Sequence, residues 1–155
     1  MIAPIDARRW LRVPFRLGGR DPAIGLDCWG LYRAIVAEAA GVVLDEHGGL
    51  GAYPAIARRL TDEAAAAGWR RIEPGAERPL DLVLMTGLVR GGDGRTRSAP
   101  LHVGCVVMPG LMIDTEETTG VMVRAFRDTA LRRALPTVTP RLLGLHRPAA
   151  LEGLA

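Results

Sequence analysis

In the stretch DCWGLYRAIVAEAAG, apolar residues fall at 28, 31, 32, 35, 36 and 39. Steps of three and four are the period of a helix with one buried face. With Asp27 as N-cap and Gly41 as the stop, the pattern predicts a core helix over 28–40. Upstream, Ile5 to Val13 suit a short helix, after which Pro14, Gly18, Gly19, Pro22 and Gly25 hold an irregular loop. Downstream, a Gly-rich loop around His47 to Gly51 leads into PAIARRLTDEAAAAG. Its Pro at the first turn and closing Gly68 predict a second, more exposed helix.

Beyond Pro74, Gly75 and Pro79 the apolar runs shorten to strand size. They are Leu82 to Met85, Leu101 to Met108, Leu111 to Ile113 and Gly120 to Arg124, each bounded by Gly or Pro. Between the first two, GLVRGGDGRTRSAP reads as a surface loop. RDTALRRAL is a candidate short helix, and a last strand is expected near Arg141 to His146. Helices first and antiparallel strands afterwards predict an α+β fold rather than a doubly wound parallel one. No repeat or linker divides the chain, so residues 1–155 are expected to form a single domain.

Composition narrows the function. At 48% hydrophobic and 24% charged residues, the chain has the balance of a folded globular domain. No run reaches the roughly 18 apolar residues of a membrane span. The opening MIAPIDARRWLRV lacks the apolar core of a signal peptide, so carriage to any extracytoplasmic target is expected to come from elsewhere. The 20 basic residues, all arginine, are interleaved with 17 acids and form no long basic run, which argues against a nucleic-acid partner. Two cysteines, Cys28 and Cys105, provide neither a disulfide framework nor a four-ligand zinc site, and no metal or cofactor is expected.

The catalytic vocabulary is short: no Lys, Asn or Gln, one Ser (Ser98) and three His (His47, His102, His146). A P-loop is excluded without Lys, and Ser98 has no GxSxG elbow. Cys28 stands at the predicted first turn of a helix, where free amides and the positive end of the dipole favour a thiolate. A lone Cys is more often a small buried hydrophobe, and Cys105, inside an apolar strand, fits that description. A nucleophilic sulfur needs a base, and the base needs a third group to orient it.

His102, at the start of LHVGCVV, is the best-placed base; His47 lies in a Gly-rich loop and His146 near the tail. For the third group, Asp114 depends on register. A three-residue loop Met108 to Gly110 sets Asp114 opposite Gly104, on the face of His102. A strict two-residue loop sets it opposite Cys105 and turns it away. Capping of the polar turn DTEETTG is the other role open to Asp114.

The segments VPFRLGGRDPAIGLDCWGL, RPLDLVLM and PLHVGCVVMPGLMID resemble, in order and spacing, the NlpC/p60 cysteine peptidases, especially those of phage tails and gene transfer particles. The closing LLGLHRP resembles that subgroup's final strand, so the likeness runs over roughly residues 8 to 147. The resemblance implies a papain-like α+β fold, with the nucleophile's helix packed on an antiparallel sheet. It implies Cys28 as nucleophile, His102 as base and Asp114 as orienting residue, with Asp27, Phe15 and Trp29 around the substrate. Many members have Tyr, Ser and His where this chain has Phe15, Trp29 and Asp114. The implied substrate is the peptidoglycan stem peptide, often cut between D-glutamate and diaminopimelate. The implied setting is the tail tip of a phage or phage-like particle, assembled in the bacterial cytoplasm and acting in the periplasm and wall, with hub or baseplate proteins as partners. A non-catalytic tail-tip protein of the same fold, docking through the loop from Arg90 to Arg97, is the competing expectation.

Overall fold

The computed structural model describes residues 2–45, 68–90, 92–126 and 142–154, with backbone alone for 87–90 and 96–101. The expected helices over PAIARRLTDEAAAAG and RDTALRRAL, and the loop at His47, lie outside the described residues.

The N-terminal helix α1 (Ala7–Trp10) is shorter than expected, with the Asp6 side chain accepting from Arg8 N–H as its cap. Trp10 is buried beneath it. The loop that follows folds into a small antiparallel pair, β1 (Arg20–Asp21) and β2 (Gly25–Leu26), which leads directly into helix α2 (Cys28–Ala40). α2 has the predicted bounds. Asp27 caps its start by accepting from Gly30 N–H, and Gly41, at φ 67, closes its end by donating to Ala37 O. The face carrying Leu31, Tyr32, Ile35, Val36 and Ala39 is buried, which is the stripe the spacing predicts.

Among the described residues, six strands form one sheet: β3 (Trp69–Ile72), β4 (Leu82–Arg90), β5 (Thr96–Met108), β6 (Leu111–Glu116), β7 (Gly120–Ala125) and β8 (Leu142–Pro148). Their order is β3-β8-β4-β5-β6-β7, antiparallel throughout. α2 packs on β5 and β6, and the core between them contains Leu82, Leu84, Val103, Cys105 and Ile113. A second apolar cluster of Val83, Met85, Val106, Met112, Phe126 and Leu145 forms with the alternate residues of the same strands. The α+β architecture with an antiparallel sheet is as expected.

The expected loop 87–100 is corrected. Pairing continues from Gly87↔Ala99 to Arg90↔Thr96, so this segment is the outer half of the β4–β5 hairpin. Glycine and arginine weaken a strand signal, but main-chain hydrogen bonds need no apolar side chain to continue a ladder. β3 is a further strand that the expectations omitted; WRRI alternates too briefly to stand out.

Two irregularities shape the site. Met85 pairs with His102 and Thr86 with Pro100, so Leu101 is an extra residue beside His102. Between β5 and β6 the turn is the two-residue Pro109-Gly110, with Met108 opposite Leu111, yet the pairing shifts before Val106↔Met112 and Cys105↔Ile113. Val107 absorbs the shift. Continuing the ladder from Cys105↔Ile113 brings Asp114 beside Gly104, the arrangement expected from a longer loop.

Candidate active site

The site is built where the start of α2 meets β5 and β6. The loop before α2 is held close by glycine: a Cβ on Gly30 would stand 2.2 Å from Gly19 O, and one on Gly19 would stand 2.1 Å from Gly25 O. Only hydrogen at these positions lets the loop lie on the first helical turn. Asp27 ties the same parts together. It is fully buried, and its carboxylate accepts from Gly18 N–H (2.8 Å), Gly30 N–H (2.7 Å) and Arg20 Nη1 (2.8 Å to each oxygen).

Cys28 thus occupies the first turn of a well-capped helix. The first intrahelical bond there runs from Leu31 N–H to Asp27 O. The amides of Cys28 and Trp29 precede that bond, at the positive end of the dipole. Cys28 is 7% exposed and lies close enough to the imidazole of His102, itself 9% exposed, for the two groups to shift the imidazole's titration. The other side of the ring meets Asp114: His102 Nε2 lies 2.5 Å from Asp114 Oδ2. That leaves Nδ1 as the nitrogen available to the sulfur. Burial lowers the His102 pKa, but hydrogen bonds to Asp114 and Cys28, together with their charges, outweigh it and raise it to about 10.

Asp27, Phe15 and Trp29 all lie at or next to the start of α2. Phe15 is half-buried and bridges to Leu26, two residues before Cys28. Trp29 is 1% exposed; its ring packs against Tyr32 at 5.6 Å and Trp69 at 6.3 Å between centroids. The surfaces of Asp27 and Trp29 are therefore engaged within the protein, and Phe15 is the one of the three that retains surface. Cys105 is a core residue, 1% exposed, and burial pushes its thiol pKa well up. His146 is buried apart from this group, its pKa lowered to about 4 by burial and by the charge of Arg71.

Residues 12–139 match the model of the NlpC/P60 family. The chain belongs to the NlpC/P60 family. Among solved structures it is similar to the crystal structure of the NlpC/p60 domain of peptidoglycan hydrolase SagA. Identity is 19%, covering 88% of this chain and 89% of that one, with a TM-score of 0.47. No curated protein matches the chain.

Three features of this NlpC/P60 domain were missed in the sequence. Arg124 of β7 places Nη2 against Asp114 Oδ2, 2.5 Å from Glu116 Oε1 and 3.5 Å from His102 Nε2. The signal for it was available: Asp114 pairs with Met122, so Arg124 is its diagonal cross-strand neighbour. His102, Asp114 and Glu116 each offer a metal-ligand atom within 4.8 Å of one another, but the Arg124 guanidinium stands among them and supplies the positive charge. Arg20 locks Asp27, as described above. Asp81 and Arg147 form a buried bidentate pair, Nε to Oδ1 and Nη2 to Oδ2 at 2.6 Å each, joining β8 to the residue before β4. Neither of these two ion pairs has a local sequence signal, because their partners are brought together only by the loop fold and by strand order.

Proposed function

We propose that this NlpC/P60 domain is a cysteine endopeptidase that hydrolyses amide bonds of peptidoglycan stem peptides. The observation that carries the reading is the line Cys28–His102–Asp114, in which Asp114 is hydrogen-bonded to the imidazole and the sulfur, at a helix start, interacts with it. Below about pH 10 the imidazole of His102 already holds the proton of the Cys28–His102 pair, so Cys28 Sγ attacks the amide carbonyl as the anion, forming a tetrahedral oxyanion beside the imidazolium. In this reading the amide of Cys28, free at the start of α2, holds that oxygen, a contribution of about 3 to 4 kcal/mol per well-aimed donor. Collapse of the intermediate breaks the C–N bond as His102 protonates the leaving amine. Water, deprotonated by His102, then releases the acyl-enzyme as a carboxylic acid. Asp114 holds the imidazole with Nδ1 toward the sulfur and offsets its positive charge. In this reading Phe15 lines the substrate side, with Asp27 and Trp29 shaping the site from within.

The D-glutamyl-diaminopimelate amide is the candidate bond, and the tail tip of a phage or phage-like particle the candidate setting. Support for the setting is the likeness of DCWGL and LLGLHRP to tail-associated members, the second segment being the whole of β8. Hub or baseplate proteins are then the partners, and the periplasm and wall the place of action.

The test is digestion of purified sacculi, with fragments read by mass spectrometry for new amino and carboxyl ends. The expected result is fragment release by the native protein and none after its thiols are blocked. Because His102 must be protonated to serve the leaving amine, kcat/KM should persist through neutral pH and fall as pH rises past about 10. The 7% exposure of Cys28 favours a second reading, a tail-tip structural protein without catalysis. Sacculi left intact by the native protein under all conditions would support that reading and overturn the first.

A further inference from the structure

Arg124 reaches the site from β7, an edge strand of the sheet, with its side chain 25% exposed. All three of its contacts there pass through a single nitrogen, Nη2: to Asp114 Oδ2, to Glu116 Oε1 and, at 3.5 Å, to His102 Nε2. Glu116 Oε1 is itself 3.8 Å from His102 Nε2. Around the imidazole, the charged and titratable groups among the described residues are therefore Cys28 from α2, Asp114 and Glu116 from β6, and Arg124 from β7. Two carboxylates this close repel one another unless a cation stands between them. Asp114 also has no second anchor, since its Oδ1 is buried without a hydrogen-bond partner among the described residues. Its orientation depends on what holds Oδ2.

We propose that Arg124 is a positioning residue: its guanidinium bridges Asp114 and Glu116, cancels their repulsion and keeps Asp114 Oδ2 on His102 Nε2. The inference rests on the peptidase reading for its kinetic consequence but not for its structural one. Without Arg124, Glu116 pushes Asp114 away and the imidazole loses its fixed orientation. Because one nitrogen makes every contact, a lysine ammonium can take its place, which a residue held by the two-pronged geometry of arginine would not allow.

The experiment uses the full chain and two readouts. In proton NMR, the short His102 Nε2–H···Asp114 hydrogen bond should give a far-downfield imidazole N–H signal, seen without any substrate. Arg124→Met should abolish that signal and lower kcat on sacculi fragments about 10- to 100-fold with KM little changed. Adding Glu116→Gln to Arg124→Met should restore the signal and most of the rate, because the repelling charge is gone. A signal unchanged in Arg124→Met, or a double variant no better than Arg124→Met alone, overturns the proposal. If Arg124→Met does not fold, Arg124→Lys decides: a retained signal and a rate within about threefold of native support it, and loss of both overturns it. Since the NMR signal needs no turnover, the positioning role can fail while hydrolysis stands, and hydrolysis can fail while the role stands.

Discussion

Replacing Cys28 with Ala should lower the rate of stem-peptide cleavage by roughly 10⁴-fold or more, and His102→Ala should do nearly the same. The two residues act as one unit, because the sulfur attacks only after its proton has somewhere to go. The loss in the double variant should therefore be little greater than in either single one. Asp114→Ala should also be severe, since the imidazole would lose the 2.5 Å contact that fixes Nε2. None of these changes removes a large piece of the core, so thermal melts should stay cooperative. The check is steady-state kinetics on a defined stem peptide beside circular dichroism of each variant. A His102→Ala protein within tenfold of native activity would remove the imidazole from the mechanism.

The largest effect on stability is expected at the pair Asp81 and Arg147. Their side chains are 1% and 4% exposed and meet through two parallel hydrogen bonds of 2.6 Å. Asp81 Oδ2 also accepts from Arg78 N–H at 2.8 Å, and the Asp81 carbonyl receives Val106 N–H at 2.8 Å. Truncating Asp81 to Ala leaves the Arg147 guanidinium buried without its counter-charge, a cost of about 3 to 5 kcal/mol. Against the typical total of about 5 to 15 kcal/mol, that is enough to bring the protein close to unfolding at room temperature. Replacing both members with apolar residues of similar volume should cost much less, because no charge is then stranded. Urea unfolding of the single and double variants measures the difference. A single variant within about 1 kcal/mol of native would mean that solvent reaches the pair.

How much of this was legible depended on whether the deciding interaction was local. α2 could be read to its ends, because its spacing, Asp27 cap and Gly41 stop all lie within one stretch of chain. The α+β layout followed from the order of periodic segments. Asp114 shows where reading stops: its face depends on one bulge at Val107, and the two-residue turn taken alone predicts the wrong face. An inserted residue in a ladder leaves no mark in an apolar run such as VGCVVM. The outer β4–β5 hairpin was misread because main-chain pairing carries Gly and Arg positions that look like loop. Arg124 was missed for a third reason, since its role depends on register across β6 and β7 rather than on its own neighbours in sequence. The core cysteine, Cys105, was separable from Cys28 because one lies mid-strand and the other at a helix start.

The claim on which the rest depends is that the sulfur of Cys28 works with the imidazole of His102, and alkylation kinetics test it most directly. Native protein and His102→Ala would be treated with iodoacetamide at pH 6 to 7 and the modified cysteines identified by mass spectrometry. Cys105 serves as the internal control, being 1% exposed with its thiol pKa pushed up by burial. The account predicts that Cys28 is modified quickly, that Cys105 stays unmodified, and that loss of His102 slows Cys28 at least about tenfold. A Cys28 that does not react in the folded protein, or reacts equally fast without His102, would contradict it.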